Sequence, residues 1–221
     1  MRRELNPEMD RIILDALATK YKLLVKREGI HLSSLLYCLT KSYLDLKTPL
    51  EPTDTELLLF ATGYGLQDVM TPDLEEEYTF VTDGITYRPD TVFPVQQGSV
   101  EKLVEMKSTR AGVKRYQTGD FPTTWLTYMM AGCHIRNTKS YELVVIYVAE
   151  RPTAKIISET VYFDSIEIEE NWKWVLSRRD TYVKALETET VPTPREYCDS
   201  WMCNDCRYTL PCDAIVLLGG R

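Results

Sequence analysis

Three charged residues in the middle of the chain have the types and the spacing of a metal-ion site. Glu105 and Lys107 close an apolar run that extends from Val100 to Lys107, and Asp90 follows a proline 15 residues before Glu105. On a strand, residues two apart share a face, so the acid and the amine would lie side by side. Such side chains are almost never fully buried unless they are paired or bind an ion. A hairpin could therefore bring both carboxylates to one divalent cation.

A Pro-Asp pair ending at Asp90, a spacer, and a Glu-x-Lys motif from Glu105 to Lys107 resemble the PD-(D/E)xK nuclease superfamily. The resemblance implies that Asp90 and Glu105 bind Mg²⁺ or Mn²⁺, hard ions that prefer oxygen ligands. It also implies the Met106 backbone carbonyl as a third ligand. The metal would lower the pKa of a water molecule and polarise a phosphodiester, while Lys107 would position that water and stabilise charge on the phosphate. Without the resemblance, the same residues are typical of a surface hairpin with an exposed Glu-Lys pair.

Two helices carry further positions that the RecB-like branch of this superfamily uses, and both depart from the family pattern. That branch has Gly-x-x-x-His before the Pro-Asp pair. Here Gly63 is followed by Gln67, and an amide is a weaker metal ligand than an imidazole. Gly63 and Gly65 are also typical of close helix packing. On a later helix the branch has Gln-x-x-x-Tyr, where Tyr128 matches the Tyr but Thr124 replaces the Gln.

A polar and basic segment from Ser108 to Gly119 is predicted to be a flexible loop over this site. Its cations could contact the phosphate backbone of a nucleic acid. The alternative is a solvated loop without a binding role. The candidate substrate-binding cations in this segment are Arg110, Lys114 and Arg115.

The C-terminal segment carries a second group of residues suited to metal chemistry. Four of the six cysteines lie within 15 residues, at Cys198, Cys203, Cys206 and Cys212. In a cytoplasmic chain this density favours a metal site over disulfides, and Cys-x-x-Cys presents two thiolates to one centre. Four thiolates around Zn²⁺ form a common structural site. Zinc ribbons usually show two Cys-x-x-Cys pairs, however, and this chain shows one.

One early cysteine and three late ones resemble the layout of RecB-like nucleases that carry an iron–sulfur cluster. The early residue is Cys38, and the late ones are Cys203, Cys206 and Cys212. This order is most similar to the CRISPR-associated RecB-like exonucleases, the fourth Cas family, and their viral relatives. The resemblance implies a 4Fe–4S cluster on these four residues that joins the first helices to the C-terminus. Cys198 could substitute for one of them.

Length and composition fit a single globular domain. The 221 residues are 44% hydrophobic and 27% charged, which is ordinary for a folded protein. We divide this nuclease domain, residues 1–221, into a helical N-terminal part (1–72), a nuclease core (73–190) and a C-terminal cysteine segment (191–221). The sequence shows neither a membrane-length apolar run nor the core of a signal peptide, which predicts a cytoplasmic protein without membrane contact. The net charge of −7 argues against a broad nucleic-acid surface but allows a local cleft.

Hydrophobic periodicity predicts five helices and five strands. The helices are Pro7–Glu28, Leu35–Lys47 (capped by Ser33 or Ser34), Thr53–Met70, Pro122–Arg136 and Ser165–Glu187. The strands are Glu75–Asp83, Gly84–Phe93, Val100–Lys107, Tyr141–Glu150 and Lys155–Phe163. The order predicts an α/β (α+β) fold, in which helices flank a central mixed β-sheet. The resemblance adds a restriction-endonuclease-like core, with the N- and C-terminal segments joined by the cysteine-ligated cluster.

The resemblance implies a metal-dependent DNA exonuclease that hydrolyses phosphodiester bonds in single strands or overhangs. In a CRISPR setting it would trim DNA before integration, together with the Cas integrase proteins. A stand-alone viral or host recombination nuclease is an alternative of the same class. A non-catalytic DNA-end-binding subunit is favoured by the departures at Gln67 and Thr124 and by the acidic charge, although the intact Asp90, Glu105 and Lys107 oppose it. A further alternative is a binding domain that is stabilised by a structural zinc site.

Overall fold

The computed structural model describes residues 6–24, 28–70, 78–93, 102–196 and 198–219. In this part of the chain, two mixed β-sheets are flanked by seven α-helices, which confirms the predicted α/β class. The smaller of the two sheets is an addition to the predicted fold. The predicted helical residues 25–27 and the predicted strand residues 75–77 and 100–101 lie outside the described residues. Within the described part, no helix combines the length and the apolar character needed to cross a membrane.

Four of the five predicted helices agree with the structure except at their ends, the predicted second helix is divided in two, and α7 was not predicted. They are α1 (Pro7–Leu24), α2 (Leu32–Leu36), α3 (Leu39–Lys47), α4 (Asp54–Met70), α5 (Thr123–Arg136), α6 (Ser165–Glu187) and α7 (Thr209–Leu217). The long helix α6 begins at a capping box in which Asp164 and Glu167 each accept from the other's backbone N–H. Its apolar stripe, which includes Trp172, Val175 and Tyr182, is buried as predicted.

Seven strands form the two sheets in the described residues. They are β1 (Ile30–His31), β2 (Phe80–Thr82), β3 (Ile85–Tyr87), β4 (Thr91–Phe93), β5 (Lys102–Thr109), β6 (Ser140–Tyr147) and β7 (Lys155–Tyr162). The larger sheet has the order β4-β5-β6-β7, in which β5 runs parallel to β6 while the other two pairs are antiparallel. The smaller sheet has the order β1-β3-β2, with β1 parallel and β2 antiparallel to β3.

The core behind the larger sheet depends on a close approach of helix α5. Alternate residues of β6, Tyr141, Leu143 and Val145, are buried, as a strand with one face in the core requires. The hydroxyls of Tyr87 and Tyr141 share a buried hydrogen bond of 2.6 Å. A Cβ at Gly132 would lie 2.5 Å from the Tyr87 hydroxyl and 2.8 Å from Tyr141 Cε2. Gly132 therefore allows α5 to pack against the two tyrosines.

The predicted second helix is two helices, because the chain breaks at Tyr37 and Cys38 between α2 and α3. Arg178 of α6 is buried and donates to the carbonyl oxygens of Leu35 and Tyr37 at the end of α2. These bonds satisfy carbonyls that a helix end leaves without intrahelical partners. Cys38 instead begins α3 as its N-cap, and its Sγ accepts from the Lys41 N–H at 3.4 Å.

Two predictions about helix ends are wrong. Ser33 and Ser34 lie inside α2, whose N-cap is His31, so neither serine starts the helix. His134 is predicted to be a favourable cation near the end of α5. Its ring instead stacks on Trp172, with the ring centroids 4.5 Å apart. Burial lowers the pKa of His134, which favours the neutral ring.

The predicted strand Gly84–Phe93 is two strands in different sheets. Residues 88–90 separate β3 from β4, and Pro89 among them has no N–H to donate to a ladder. A hairpin turn connects β2 to β3, where Asp83 and Gly84 have positive φ angles of 51° and 73°. The break leaves Asp90 immediately before β4.

The predicted loop Ser108–Gly119 is not one loop. Its first two residues belong to β5, and Val113–Tyr116 forms a 3₁₀ turn. The Val113 N–H donates to Glu150 Oε2 at 2.7 Å, which ties this turn to the segment after β6.

Contacts attach the C-terminal segment to the first helices. Arg207 forms ion pairs with Asp45 of α3 and Glu56 of α4. The Leu50 N–H donates to the Tyr208 hydroxyl at 3.1 Å. Polar contacts between protein groups therefore join the C-terminal segment to α3, α4 and the residues between them.

Candidate functional site

Asp90, Glu105 and Lys107 line one cavity of about 680 Å³, which we name the carboxylate cavity. The β4–β5 ladder brings them together, because Thr91 pairs with Val104 and the next positions along the two strands are Asp90 and Glu105. Residues of α2, α4 and α5 also line this cavity. The structure thus collects the three candidate residues at one place, between the sheet and the helices.

Asp90 is held in place by two hydrogen-bond donors. The Met106 N–H donates to Asp90 Oδ2 at 2.7 Å, and the Gln67 side-chain nitrogen donates to Oδ1 at 3.2 Å. Burial raises the pKa of Asp90, whereas the charge of Lys107 and the Met106 N–H oppose that rise. Because the N–H and the C=O of one strand residue face the same edge, the Met106 carbonyl also lies on the Asp90 side of β5.

Within the described part of the chain, Glu105 has a carboxylate oxygen without a hydrogen-bond partner, whereas both Asp90 oxygens accept hydrogen bonds. It is only 2% exposed. Its Oε1 pairs with Lys107 Nζ, but its buried Oε2 has no hydrogen-bond partner among the described residues. Burial and the neighbouring charge of Asp90 raise the pKa of Glu105 to about 8, despite the opposing charge of Lys107. A buried acceptor without a partner is costly, so this oxygen is where a cation would be most stabilised.

Lys107 remains a cation in this environment. Burial lowers its pKa, but the charges of Glu105 and Asp90 together raise it by more. Its side chain is 22% exposed, so the ammonium group can reach a molecule in the cavity while it pairs with Glu105. An amine that holds its proton acts through its charge and its hydrogen bonds, not as a base.

The residues present fit a hard divalent cation. The unpartnered Glu105 Oε2 and the Asp90 carboxylate are oxygen donors in the same cavity. Among the described residues, no three His, Cys, Asp or Glu side chains are already grouped as ligands of a metal ion. Mg²⁺ and Mn²⁺ sites commonly have one or two carboxylates and take the remaining ligands from carbonyls, water or phosphate oxygens.

Gln67 lies where the family pattern has a histidine, and here it contacts Asp90. Its amide nitrogen lies 3.4 Å from the Asp90 carbonyl oxygen as well as near the carboxylate. In this arrangement Gln67 orients a carboxylate, and its role as a metal ligand stays a prediction. A Cβ at Gly63 or Gly65 would meet no described atom within 4 Å. The alternative explanation of these glycines, close helix packing, is therefore wrong.

Tyr128 lines the carboxylate cavity, as the resemblance implies. Its hydroxyl donates to the carbonyl oxygen of Arg88, and its ring centroid lies 5.5 Å from that of Tyr87. Thr124, one turn earlier on α5, is buried. Tyr128 thus holds the segment that carries Asp90.

The basic residues at the cavity differ from those proposed from the sequence. Arg110, Lys114 and Arg115 are exposed, and none of them is among the described residues that line the carboxylate cavity. Arg88 and His31 line it instead. Arg88 precedes the Pro-Asp pair, so its position in the sequence could have indicated it.

Two tyrosines at the site have little sequence signal. Tyr37 and Tyr64 line the carboxylate cavity from the end of α2 and from α4. Tyr64 falls within the Gly63–Gln67 motif, and Tyr37 precedes Cys38, but neither position belongs to a pattern that predicts a role. Their contribution depends on how the helices pack.

Five of the six cysteines, all of which the structure describes, line a second cavity of about 440 Å³. We name it the thiol cavity, and its cysteines are Cys38, Cys198, Cys203, Cys206 and Cys212. The sulfur atoms of Cys198 and Cys203 lie 4.0 Å apart. Cys133 is fully buried in the core, as predicted, and is not part of this group.

The thiols of this cavity are mutually destabilised as anions. Burial first, and then the neighbouring Cys38 and Cys203, raise the pKa of Cys198 to about 12. The same causes, together with Cys206, raise the pKa of Cys212 to about 11. Bound metal cations reverse such shifts, because thiolates are the ligand form. The donor types are soft and sulfur-rich, so their chemistry suits an iron–sulfur cluster or Zn²⁺, but the described cysteines are not grouped as the ligands of a metal ion.

No family model and no curated protein sequence matches this chain. The structure is similar to the crystal structure of a protein named SSO0001, with a TM-score of 0.55 and 15% identity over 94% of this chain and 97% of that one. This likeness shows a shared fold over nearly the whole chain. An alkaline exonuclease (LHK-Exo) from Laribacter hongkongensis is also similar, with a TM-score of 0.47 and 12% identity over 73% of this chain and 91% of that one.

Proposed function

We propose that this chain is a metal-dependent nuclease that hydrolyses DNA phosphodiester bonds. One observation carries the proposal. Asp90, Glu105 and Lys107 converge in one cavity, where Glu105 Oε2 is buried without a partner among the described residues. Two carboxylates beside an amine that keeps its proton form an arrangement suited to a divalent cation and a phosphate. The order of these residues also resembles the PD-(D/E)xK pattern.

Each residue has a distinct task in this reaction. When bound, a divalent cation lowers the pKa of water and draws charge from the phosphate. Asp90 and Glu105 would hold it, with the Met106 carbonyl beside them, and the Met106 N–H and Gln67 keep Asp90 oriented. Lys107 would orient the attacking water and stabilise the charge that builds on the phosphate oxygens.

The chemical change is the hydrolysis of one ester bond. The water oxygen bonds to phosphorus, the bond from phosphorus to one sugar oxygen breaks, and the leaving oxygen gains a proton. The products are a phosphate monoester and a free hydroxyl. The water loses its proton to solvent or to a group other than Lys107, because the Lys107 ammonium is already protonated and cannot accept another proton.

Two adjoining cavities offer room for a polynucleotide beside Asp90 and Lys107. A smaller cavity of about 250 Å³ adjoins the carboxylate cavity, and Tyr64, Gln67, Asp90 and Lys107 line both. This continuity supports a single strand or an overhang as the substrate. The preference for chain ends, a cytoplasmic role in trimming DNA for CRISPR spacer acquisition, and partnership with Cas integrase proteins extend the proposal on the resemblance alone.

We propose a 4Fe–4S cluster as the occupant of the thiol cavity. The ligands would be Cys38, Cys203, Cys206 and Cys212, with Zn²⁺ as the alternative occupant. Analysis of anaerobically purified protein for iron, acid-labile sulfide and zinc separates the two. Iron and sulfide in equal amounts support the cluster, whereas zinc without sulfide overturns it.

Cleavage of end-labelled single-stranded DNA in Mn²⁺ or Mg²⁺ tests the nuclease. We expect Asp90→Ala and Lys107→Ala each to lose roughly 10³-fold or more in rate, because each removes charge stabilisation of the transition state. Asp15→Ala is the matched control, since Asp15 is exposed on α1 and pairs only with Arg11 among the described residues. Cleavage that survives in both cavity variants would contradict the site.

A non-catalytic subunit that binds DNA ends is the second candidate. The specific observation in its favour is that Gln67 turns its amide nitrogen toward Asp90, and a nitrogen donor cannot ligate a cation there. Wild-type protein that binds single strands tightly but cleaves none in either metal would establish this candidate in place of the nuclease.

A further inference from the structure

The junction between α2 and α3 lies between the two cavities. Tyr37 lines both the carboxylate cavity and the thiol cavity. The next residue, Cys38, lines the thiol cavity and caps α3. Two adjacent residues therefore present one side chain to the candidate phosphate site and the other to the sulfur cluster site.

This junction is held firmly by hydrogen bonds. The Tyr37 N–H donates to the Ser33 carbonyl at 3.3 Å, and Arg178 donates to the Leu35 and Tyr37 carbonyls. Arg178 is only 8% exposed, so its guanidinium bonds to α2 have little competition from water. Because these bonds fix the backbone of Tyr37, a backbone shift at the adjacent Cys38 strains them.

The phenol of Tyr37 faces charged groups of the carboxylate cavity. Tyr37 is 40% exposed and lines this cavity together with Lys107, Glu105 and Asp90. A phenol keeps its proton at neutral pH, so it can donate a hydrogen bond. A neutral donor beside a protonated lysine is suited to a phosphate oxygen.

We propose that Tyr37 positions the DNA phosphate in the carboxylate cavity and that occupancy of the thiol cavity sets where its phenol lies. This inference rests on the proposed nuclease function. It assigns Tyr37 a role as a substrate-positioning residue, and it makes the Tyr37-Cys38 junction the route by which the sulfur site affects DNA binding. Loss of the occupant of the thiol cavity frees Cys38, and the phenol then leaves the position at which it meets the phosphate.

The first experiment compares Tyr37→Phe with wild type. We expect the KM for single-stranded DNA to rise roughly tenfold, because one hydrogen bond to a charged oxygen is lost. Mn²⁺ affinity by calorimetry and the metal content of the thiol cavity stay unchanged, which a merely structural defect would not allow. Tyr162→Phe is the matched control, since Tyr162 is 76% exposed on β7. An unchanged KM in Tyr37→Phe overturns the proposal.

The second experiment tests the coupling without turnover. Anisotropy of a labelled single-stranded oligonucleotide in Ca²⁺ gives the binding affinity of wild type, Cys38→Ala, Tyr37→Phe and the double variant. Coupling predicts that Cys38→Ala weakens binding in the wild-type background but adds little when Tyr37 is already Phe. Additive losses overturn the coupling. If Cys38→Ala does not fold, wild type and Tyr37→Phe are compared before and after chelation of the thiol-cavity metal, with the same criterion.

The two failures are distinguishable. Wild-type protein that cleaves DNA while Tyr37→Phe behaves identically sinks this inference and leaves the nuclease standing. Wild-type protein that neither binds nor cleaves DNA removes the proposed function and this inference with it.

Discussion

The carboxylate cavity and the thiol cavity differ in how their polar groups are satisfied. In the carboxylate cavity, Asp90 accepts hydrogen bonds from Met106 and Gln67, and Glu105 pairs with Lys107. In the thiol cavity burial, and after it the neighbouring cysteines, raise the pKa values of Cys198 and Cys212.

This difference suggests that the fold alone positions the carboxylates, whereas the cysteines need a bound metal to hold them together. The carboxylates are positioned by strand pairing between backbone groups of β4 and β5. The thiols come from Cys38 and from the far end of the chain, where regular structure is short. Closing such a distant pair is costly in chain entropy, and a bound metal offsets that cost. We therefore expect loss of metal to disturb function at the first site and folding at the second.

Loss of a thiol ligand gives the largest expected effect. We expect Cys206→Ser to lower the yield of soluble folded protein by about tenfold or more, because metal binding at such sites contributes folding free energy. The measurement is soluble yield together with iron and zinc content. Cys133→Ser is the matched control, since Cys133 lies in the core, and it should keep the full metal content. A stable, colourless and fully active Cys206→Ser protein would contradict the comparison.

Loss of a carboxylate should affect ligand binding and leave the fold intact. Loss of a group that only orients a metal ligand costs roughly 10- to 100-fold in metal affinity. Because Glu105 would itself be a ligand, we expect Glu105→Gln to lose more Mn²⁺ affinity than that. Its unfolding free energy should stay within about 1 kcal/mol of wild type, because the Gln amide oxygen can still accept from the Lys107 ammonium and the cost of burying a carboxylate is removed. Calorimetry with Mn²⁺ and denaturant unfolding measure the two quantities.

The control for this change is Glu142→Gln on β6, which pairs with Lys102 at the surface. It should bind Mn²⁺ as wild type does. If Glu105→Gln unfolds cooperatively at a much lower denaturant concentration than wild type, loss of a ligand destabilises the fold at both cavities. The proposed difference between them would then be wrong.

The raised pKa of Glu105 predicts how Mn²⁺ affinity depends on pH. A protonated carboxyl cannot bind the cation, so affinity should rise by up to about tenfold per pH unit and level off above about pH 8. That limit follows from the pKa of about 8 for Glu105 in the folded protein. Calorimetry in buffers of different ionisation enthalpy would detect the released proton, and Glu105→Gln should abolish this dependence.

The unfolding free energy of the metal-free protein should fall as pH rises, whereas the Mn²⁺ affinity should rise. The pKa of Glu105 rises from its ordinary value of 4.5 to about 8 on folding. Between these values the folded protein holds more protons than the unfolded chain, so its unfolding free energy falls as pH rises through this window. The measurement is the difference in denaturant midpoint between metal-free wild type and Glu105→Gln from pH 5 to pH 8. A difference that does not change with pH would show that Glu105 is ionised throughout this range.

The smallest expected effect concerns the packing behind the carboxylate cavity. We expect Gly132→Ala to lower the unfolding free energy by about 1–3 kcal/mol, because its Cβ would overlap Tyr87 and Tyr141. Gly65→Ala is the matched control. A Cβ there meets no described atom within 4 Å, and a helix favours alanine by up to about 1 kcal/mol. Equal unfolding curves for the two variants would contradict the close approach of α5.

Strong local periodicity explains which elements could be predicted. Helices α4, α5 and α6 and strands β5, β6 and β7 are long or regular enough to be recognised. The smaller sheet was missed because β1 has two residues, Ile30 and His31, and pairs with a strand far along the chain. The break at Tyr37 was missed because Arg178, which stabilises it, lies on α6.

The candidate site was predicted in the same uneven way. Local spacing identified Asp90, Glu105 and Lys107, and the hairpin geometry that unites them follows from strand pairing. Their catalytic roles stay predictions. The cluster of cations at residues 110–115 was predicted in place of Arg88, although Arg88 stands beside the Pro-Asp pair. Packing placed that cluster at the surface and Arg88 in the lining of the carboxylate cavity.

The sequence by itself determined the ligand types, two hard oxygen donors beside a lysine and a set of soft sulfur donors, because side-chain chemistry is local. Only the tertiary structure decided that the two sites adjoin at Tyr37 and Cys38, and that Glu105 keeps a buried oxygen without a partner among the described residues. Burial and adjacency depend on how distant elements pack. For that reason the pKa of Glu105 and the coupling proposed through Tyr37 could not be derived from the order of residues.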